Sequence, residues 1–276
     1  MIEELDPSPV ILEQQPAQPV RTIEALLRLY AQGQRNFSGS DLRGVTLKLI
    51  DDPDVKYLDL REIILKGSNL AGIDLFKSQS LKVDLTGSDF SNCDMQGVRL
   101  SYCKLDQCNF SNSSLKNTDL TYSSCRGSDF IQSVLQNTNC YNADFTASNF
   151  TKADFRSSSI SGNFSHSKFC ESNFYKARLS GFIAHGSDFS NSNFHQATFT
   201  GFQSNGANFS GCNFHKVNVE NITSQKSDFS DADLRWLKFN GDIRYSFYNN
   251  KTKFSEDFDP IATGMELLED ESVGKD

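Results

Sequence analysis

The sequence predicts an all-β, four-sided solenoid assembled from five-residue units, and three observations carry that expectation. An apolar residue recurs at every fifth position over most of the chain, and a small residue recurs two places before it. Exceptions to this pattern recur every twenty residues, four units apart.

The composition already asks for a repeat. Only 37% of the 276 residues are hydrophobic and the mean hydropathy is -0.47. Yet there are 23 Phe against one Trp, as expected of one slot shape used many times. The slot runs Leu60, Leu65, Leu70, Leu75, Leu85, Phe90, Met95, Leu100 and on through Phe145, Phe150 and Phe155 to Ile160. After a one-residue deletion it resumes at Phe164, Phe169, Phe174 and Leu179 and continues to Phe239, with an early fragment at Phe37, Leu42 and Leu47. Counting slots gives about 40 units. Neither a helix nor a flat sheet has a period of five. In an extended backbone residues two apart share a side, so the central residue and the small one before it both point inward, and the other three face out and turn the corner.

The four-sidedness rests on a compensation. At 184, 204 and 224 the central slot shrinks to Ala184, Ser204 and Ser224, while the slot two residues earlier enlarges to Phe182, Phe202 and Ile222. Volume moves between the two inward positions on one side of three successive coils, as close packing requires.

Units such as Ala143-Asp144-Phe145-Thr146-Ala147 and Ala232-Asp233-Leu234-Arg235-Trp236 resemble the A(D/N)LXX signature of the pentapeptide-repeat family, and the match covers most of residues 37–239. The resemblance implies a right-handed quadrilateral β-helix with four units per coil. About ten coils at the ~4.8 Å strand spacing would make a rod of roughly 45–50 Å.

An open solenoid must cover its ladder edges. Residues 21–36 are predicted as an N-terminal capping helix, with Ile23, Leu26, Leu27 and Tyr30 on one face, Thr22 as N-cap and Gly33 as stop. This helix, followed by Asn36-Phe37, resembles the N-terminal cap of cyanobacterial family members, which include a regulator of heterocyst differentiation acting by protein contact. A C-terminal cap is expected over 240–262, closed by Phe247, Phe254, Phe258 and Ile261. Residues 1–20, with four of the six Pro, and 263–276 are expected to be disordered tails. Residues 48–57 interrupt the first coil as an inserted loop, and Asp51, Asp52 and Asp54 make it a candidate binding element. The deletion between Ile160 and Phe164 predicts an irregular corner.

The net charge of -8 lies in the tails: residues 1–20 contribute -4, residues 251–276 contribute -5, and the body is close to neutral. No basic start with a following apolar run marks a secretory signal, and no stretch approaches the ~18 apolar residues of a membrane span. A cytoplasmic protein is expected. Cys93, Cys103, Cys108 and Cys212 occupy the small inward slot and Cys125 and Cys140 the central one, so they pack as small hydrophobes; Cys170 faces out. The regular Asp and Asn before each turn suit backbone hydrogen bonding. Ser, His and Asp form no nucleophile–base arrangement, and a filled core has no internal pocket. No catalytic residue, metal site or cofactor is therefore expected.

One set of outward positions stands apart. At coil spacing it reads Arg156, Tyr175 with Lys176, His195 with Gln196, His215 with Lys216, and Arg235 with Trp236. This predicts a basic, aromatic stripe, the kind of composition found at interaction hot spots. A non-enzymatic scaffold or regulator follows, monomeric and acting on another protein through the stripe. Two alternatives remain. Some family members mimic DNA and modulate DNA gyrase, but the near-neutral body lacks the acidity that mimicry needs. Weak nucleic-acid binding by the stripe is the other, and DNA and RNA are disfavoured because few positive charges cluster.

Overall fold

The computed structural model describes residues 15–43, 57–60, 63–65, 70, 82–236 and 238–268. They form a parallel β-solenoid behind one helix. A ladder of parallel bridges climbs one side from Asn36 through Ile64, Asp89, Asn109, Asp129, Asn149, Lys168, Asp188, Asn208 and Asp228 to Phe247. We call this side 1 and number the others by the next central residues: Met95 on side 2, Leu100 on side 3 and Leu105 on side 4.

Each unit is a short extended segment closed by a tight turn. The N–H three residues after the central one donates to the central carbonyl, as from Ser88 to Leu85 at 3.0 Å and from Ser113 to Phe110 at 3.2 Å. The residue before that donor is left-handed, as at Asn92 (φ 59°), Gln132 (φ 56°) and Lys176 (φ 57°). This bond and this sign of φ define a type II turn. The left-handed residues also donate to the next coil, Asn92 N to Ser111 O at 2.9 Å, so the ladder holds what an isolated chain would resist. Asp and Asn brace the same corners, as expected: Asp89 Oδ1 accepts from Ser91 N at 2.8 Å and Asn149 Oδ1 from Thr151 N at 3.1 Å.

The core is a stack of slots. On side 1, Phe90, Phe110, Phe130, Phe150, Phe169, Phe189, Phe209 and Phe229 lie ring upon ring, with centroids 4.6 to 5.1 Å apart. Successive coils impose that spacing, and offset stacking suits it. Buried serines of the small slot face the corner backbone. Ser113 Oγ donates to Phe90 O at 2.6 Å and accepts from Cys93 N at 3.1 Å, so this small-slot hydroxyl is satisfied inside the rod.

The named elements are helix α1 (Ile23–Ala31) and strands β1 (Tyr57–Asp59), β2 (Lys82–Asp84), β3 (Ala143–Asp144), β4 (Ser159–Asn163), β5 (Arg178–Ile183), β6 (Thr198–Thr200), β7 (Asn218–Thr223), β8 (Asp233–Leu234), β9 (Lys238–Asp242), β10 (Phe247–Tyr248), β11 (Lys253–Phe254) and β12 (Glu266–Leu267). Thr22 caps α1, its hydroxyl accepting from Ala25 N at 3.2 Å, while Ile23 and Leu26 are buried against the first coil.

The irregular corner lies between sides 3 and 4. Tight turns close it at 100–103, 120–123 and 140–143; from residue 159 upward β4, β5 and β7 run through it instead. Ile160 pairs with Leu179 but Gly162 with Phe182, a register shift that absorbs the deletion. The volume exchange is as predicted. Phe182 and Phe202 are fully buried beside Ala184 and Ser204, and the Phe182 ring stacks on Phe164 at 4.4 Å, continuing the side 4 ladder from the other slot.

Four expectations are corrected. Residues 15–20 are tied to the first coil rather than lying in a disordered tail: Gln18 N donates to Asn36 O at 2.9 Å, and Val20 is buried. Beyond Phe239 the ladder continues, β11 pairing with β8 and β10 with β12, so Glu266 and Leu267 belong to the sheet and not to the acidic tail. Phe254 and Phe258 pack on the core, but Ile261 is 74% exposed and closes nothing. Finally, the step from Ile64 to Asp89 is 25 residues, one unit more than a coil. A five-residue insertion leaves a five-residue phase unchanged, so counting slots could not reveal it. The inserted loop 48–57, with Asp51, Asp52 and Asp54, lies outside the described residues except for Tyr57.

Candidate interaction surface

The stripe predicted from the sequence is built by the corner between sides 2 and 3. Its outward column holds the residue after each central slot of side 2, aligned by the ladder Asp154, Asn173, Asn193, Asn213, Asp233. Tyr175 and His195 stack with centroids 5.7 Å apart and ring planes 6° from parallel; His195 and His215 follow at 5.4 Å and 4°. Asn173, Asn193 and Asn213 fix these rings from behind. Each side-chain oxygen accepts the backbone N–H of the ring residue two places on, at 3.0 to 3.1 Å. Neighbouring Asn side chains also bond to one another at 3.2 to 3.3 Å. Lys176, left-handed and exposed, places its ammonium 5.0 Å over the Tyr175 ring. Lys216 is exposed beside His215 in the same way.

Two predicted members behave differently. Arg156 and Arg235 sit in the column, but each folds back onto the Asp of its own unit, with Nη2 2.7 Å from Asp154 and 2.6 Å from Asp233. Their charge is locally matched. Hydrogen bonds from Arg235 hold the Asp233 carboxyl below its usual range; burial works against the same effect at Asp154, where Arg156 and Gln136 prevail. The stripe is thus less basic than its composition suggests, with Lys176 and Lys216 as its outward cations. Trp236 is not on the surface column. Trp236 N donates to Leu234 O at 2.8 Å, and the indole turns in against Phe214, Phe239 and Phe258, with centroids 6.1, 4.4 and 5.8 Å away.

Side 3 ends at a second aromatic corner that the residue pattern did not single out. Tyr102 and Tyr122 stack at 5.0 Å, and Tyr141 meets Tyr122 edge-on at 5.8 Å; Tyr122 and Tyr141 are 45% and 53% exposed. The signal was present, since 102 and 122 are one coil apart, but Tyr141 occupies the first corner position and the other two the second. Above Tyr141 the corner straightens, and Asn139, Tyr141, Ser159, Ile160, Ser161, Arg178 and Ser180 line a cleft of about 260 Å³. Side 3 thus carries a ring column along each border.

The thiols are buried at Cys93, Cys103, Cys108, Cys125, Cys140 and Cys212, and burial pushes Cys103 up to about 12. Cys170 is half-buried with its Sγ 3.2 Å from Asp188 Oδ2, and desolvation raises its pKa too. Among the described residues no group of three or more His, Cys, Asp or Glu converges as a metal site, and no helix is long and apolar enough to cross a membrane.

The model of the family described as pentapeptide repeats matches in eight copies, over residues 93–162 and 187–241. The chain is a pentapeptide-repeat protein. Its repeats are similar in arrangement to those of HetL, a pentapeptide-repeat protein involved in heterocyst differentiation regulation in Nostoc sp. PCC 7120, at 19% identity over 85% of this chain and 91% of that one, TM-score 0.27. Full-length QnrB1, a plasmid-mediated fluoroquinolone resistance protein, matches at 16% identity over 84% and 92%, TM-score 0.26. A pentapeptide-repeat protein of the Arabidopsis thaliana thylakoid lumen matches at 25% over 45% and 68%, TM-score 0.20. No curated protein sequence matches the chain.

Proposed function

We propose that this pentapeptide-repeat protein is a non-enzymatic, monomeric regulator or scaffold of the cytoplasm that works by protein contact on side 3 of its rod, in the manner of cyanobacterial members of the family. The observation that carries the reading is the Tyr175, His195 and His215 column. Three parallel rings are held by an asparagine ladder on a scaffold that leaves little freedom to lose on binding, and pre-organised aromatic surface is what contact hot spots use. Repeat rods present such surfaces without internal pockets.

The test is a joint replacement of Tyr175, His195 and His215 by Ser. The protein should keep its β-rich circular dichroism and lose its partner in affinity capture from the native organism. A folded variant that retains the same partner at undiminished yield would refute the assignment to this column.

A further inference from the structure

The cleft beneath the straightened corner has the chemistry of a small oxyanion site. Arg178 lies in the outward column of side 3, between Ser159 on the coil below and Thr198 on the coil above. Both neighbours are neutral, and no acidic side chain lines the cleft. Among the described residues its guanidinium enters no ion pair. By contrast Arg126, Arg156, Arg235 and Arg244 each hold an Asp carboxylate at 2.6 to 2.7 Å. A guanidinium facing only hydroxyls and amides keeps its planar fork free for a phosphoryl or carboxyl group.

Two further features point the same way. Ser161 Oγ is buried with no hydrogen-bond partner, an unfavourable arrangement that an acceptor oxygen would relieve after rotation about χ1. Tyr141, at the cleft's lower rim, leaves its exposed ring without a parallel stacking partner, since its contact with Tyr122 is edge-on at 88°. All three lie around the register shift between Ile160 and Gly162: Tyr141 on the coil below, Ser161 within β4 at the shift itself, and Arg178 at the start of β5 over Ser159.

We propose that this cleft binds a phosphoryl group carried on a flat ring, with Arg178 holding the oxyanion, Ser161 and Ser159 donating to it, and Tyr141 stacking on the ring. About 260 Å³ accommodates one ring with its phosphoryl group and little more. The site does not depend on the Tyr175 column.

Phenyl phosphate is the probe, with inorganic phosphate and phenol as its two halves, titrated at constant ionic strength into the full-length ¹⁵N-labelled chain. Saturable shifts should appear at the Arg178 side-chain N–H and the Ser161 amide, with phenyl phosphate binding at least about tenfold more tightly than either half. Arg178→Leu should abolish the Ser161 shift, while Arg156→Leu leaves it intact. Tyr141→Ala should reduce phenyl phosphate to the affinity of inorganic phosphate. A tyrosine-phosphorylated tripeptide and a nucleoside monophosphate in the same titration distinguish a protein-borne group from a metabolite. Shifts that stay linear with concentration, survive Arg178→Leu, or are matched by phenol would overturn the proposal.

Discussion

The coils from Asp89 to residue 159 and those above it share a coil of about twenty residues but close one corner differently. Below, tight turns serve the corner between sides 3 and 4 and the large side chain fills the central slot, as at Phe145. Above, β4, β5, β7 and β9 run through that corner, and one coil after Phe164 the large side chain moves to the earlier slot, as at Phe182 and Phe202. The two halves meet at Phe145, Phe164 and Phe182, whose rings stack at 4.6 and 4.4 Å across the change. The stack is continuous although the backbone register is not. A solenoid core therefore conserves filled volume per coil, and the assignment of that volume to one inward slot or the other is negotiable.

Glycine replacements should separate the halves most sharply. A Cβ at Gly162 (φ 130°) would collide with the Ala143 carbonyl oxygen, which is backbone and cannot yield. Gly162→Ala is expected to lower stability by about 3 kcal/mol or more in urea unfolding. Gly127 (φ 63°) meets nothing closer than Gln107 Cγ at 4.0 Å, and its left-handed conformation is one that Asn, Gln and Lys adopt at other corners. Gly127→Ala should cost about 1 kcal/mol. Equal losses would mean that the corner change is not a special constraint.

The slot exchange predicts coupling. Phe182→Ala should destabilise by about 3–5 kcal/mol, and Ala184→Phe alone by about 1–3 kcal/mol from overpacking. The double variant, which restores the arrangement of the lower coils, should be more stable than the sum by at least about 1 kcal/mol. Strict additivity in denaturation midpoints would show that the slots are independent.

Thiol labelling compares the halves in the native state. Cys93, Cys103, Cys108, Cys125 and Cys140 lie below the change and Cys212 above it, all buried. Half-buried Cys170 should be modified first, and the other six only as fast as the coils open. Rapid modification of the lower five alone would show that the lower coils open separately.

Acid should discriminate least, because both halves carry depressed carboxyls. At Asp144 burial opposes the shift but hydrogen bonds from Thr146 and Arg126 prevail, while at Asp233 the bond from Arg235 leads. Groups with lowered folded-state values stabilise the fold above the ordinary carboxylate range and lose that contribution as pH falls below about 4. Both are solvent-accessible, so each contributes under about 1 kcal/mol. A stability loss between pH 7 and 5 would contradict the assignment.

The sequence by itself determined the solenoid, its four sides, the capping helix and the ring column, because each is a local pattern repeated at a fixed step. Slots five apart must all point inward because each unit turns one corner, and compensations twenty apart must share a side. Only the tertiary structure decided which outward residues remain available. Arg156 and Arg235 were legible as positions, but whether a guanidinium reaches outward or returns to its own Asp depends on distances the repeat does not encode. Trp236 was legible as a corner position, but its ring packs against Phe214, Phe239 and Phe258. The extra unit between Ile64 and Asp89 was invisible for the opposite reason: it fits the repeat without a break. The cleft at Arg178 and Ser161 lies beside the missing residue, and its lining from three coils appears only when one coil is laid on the next.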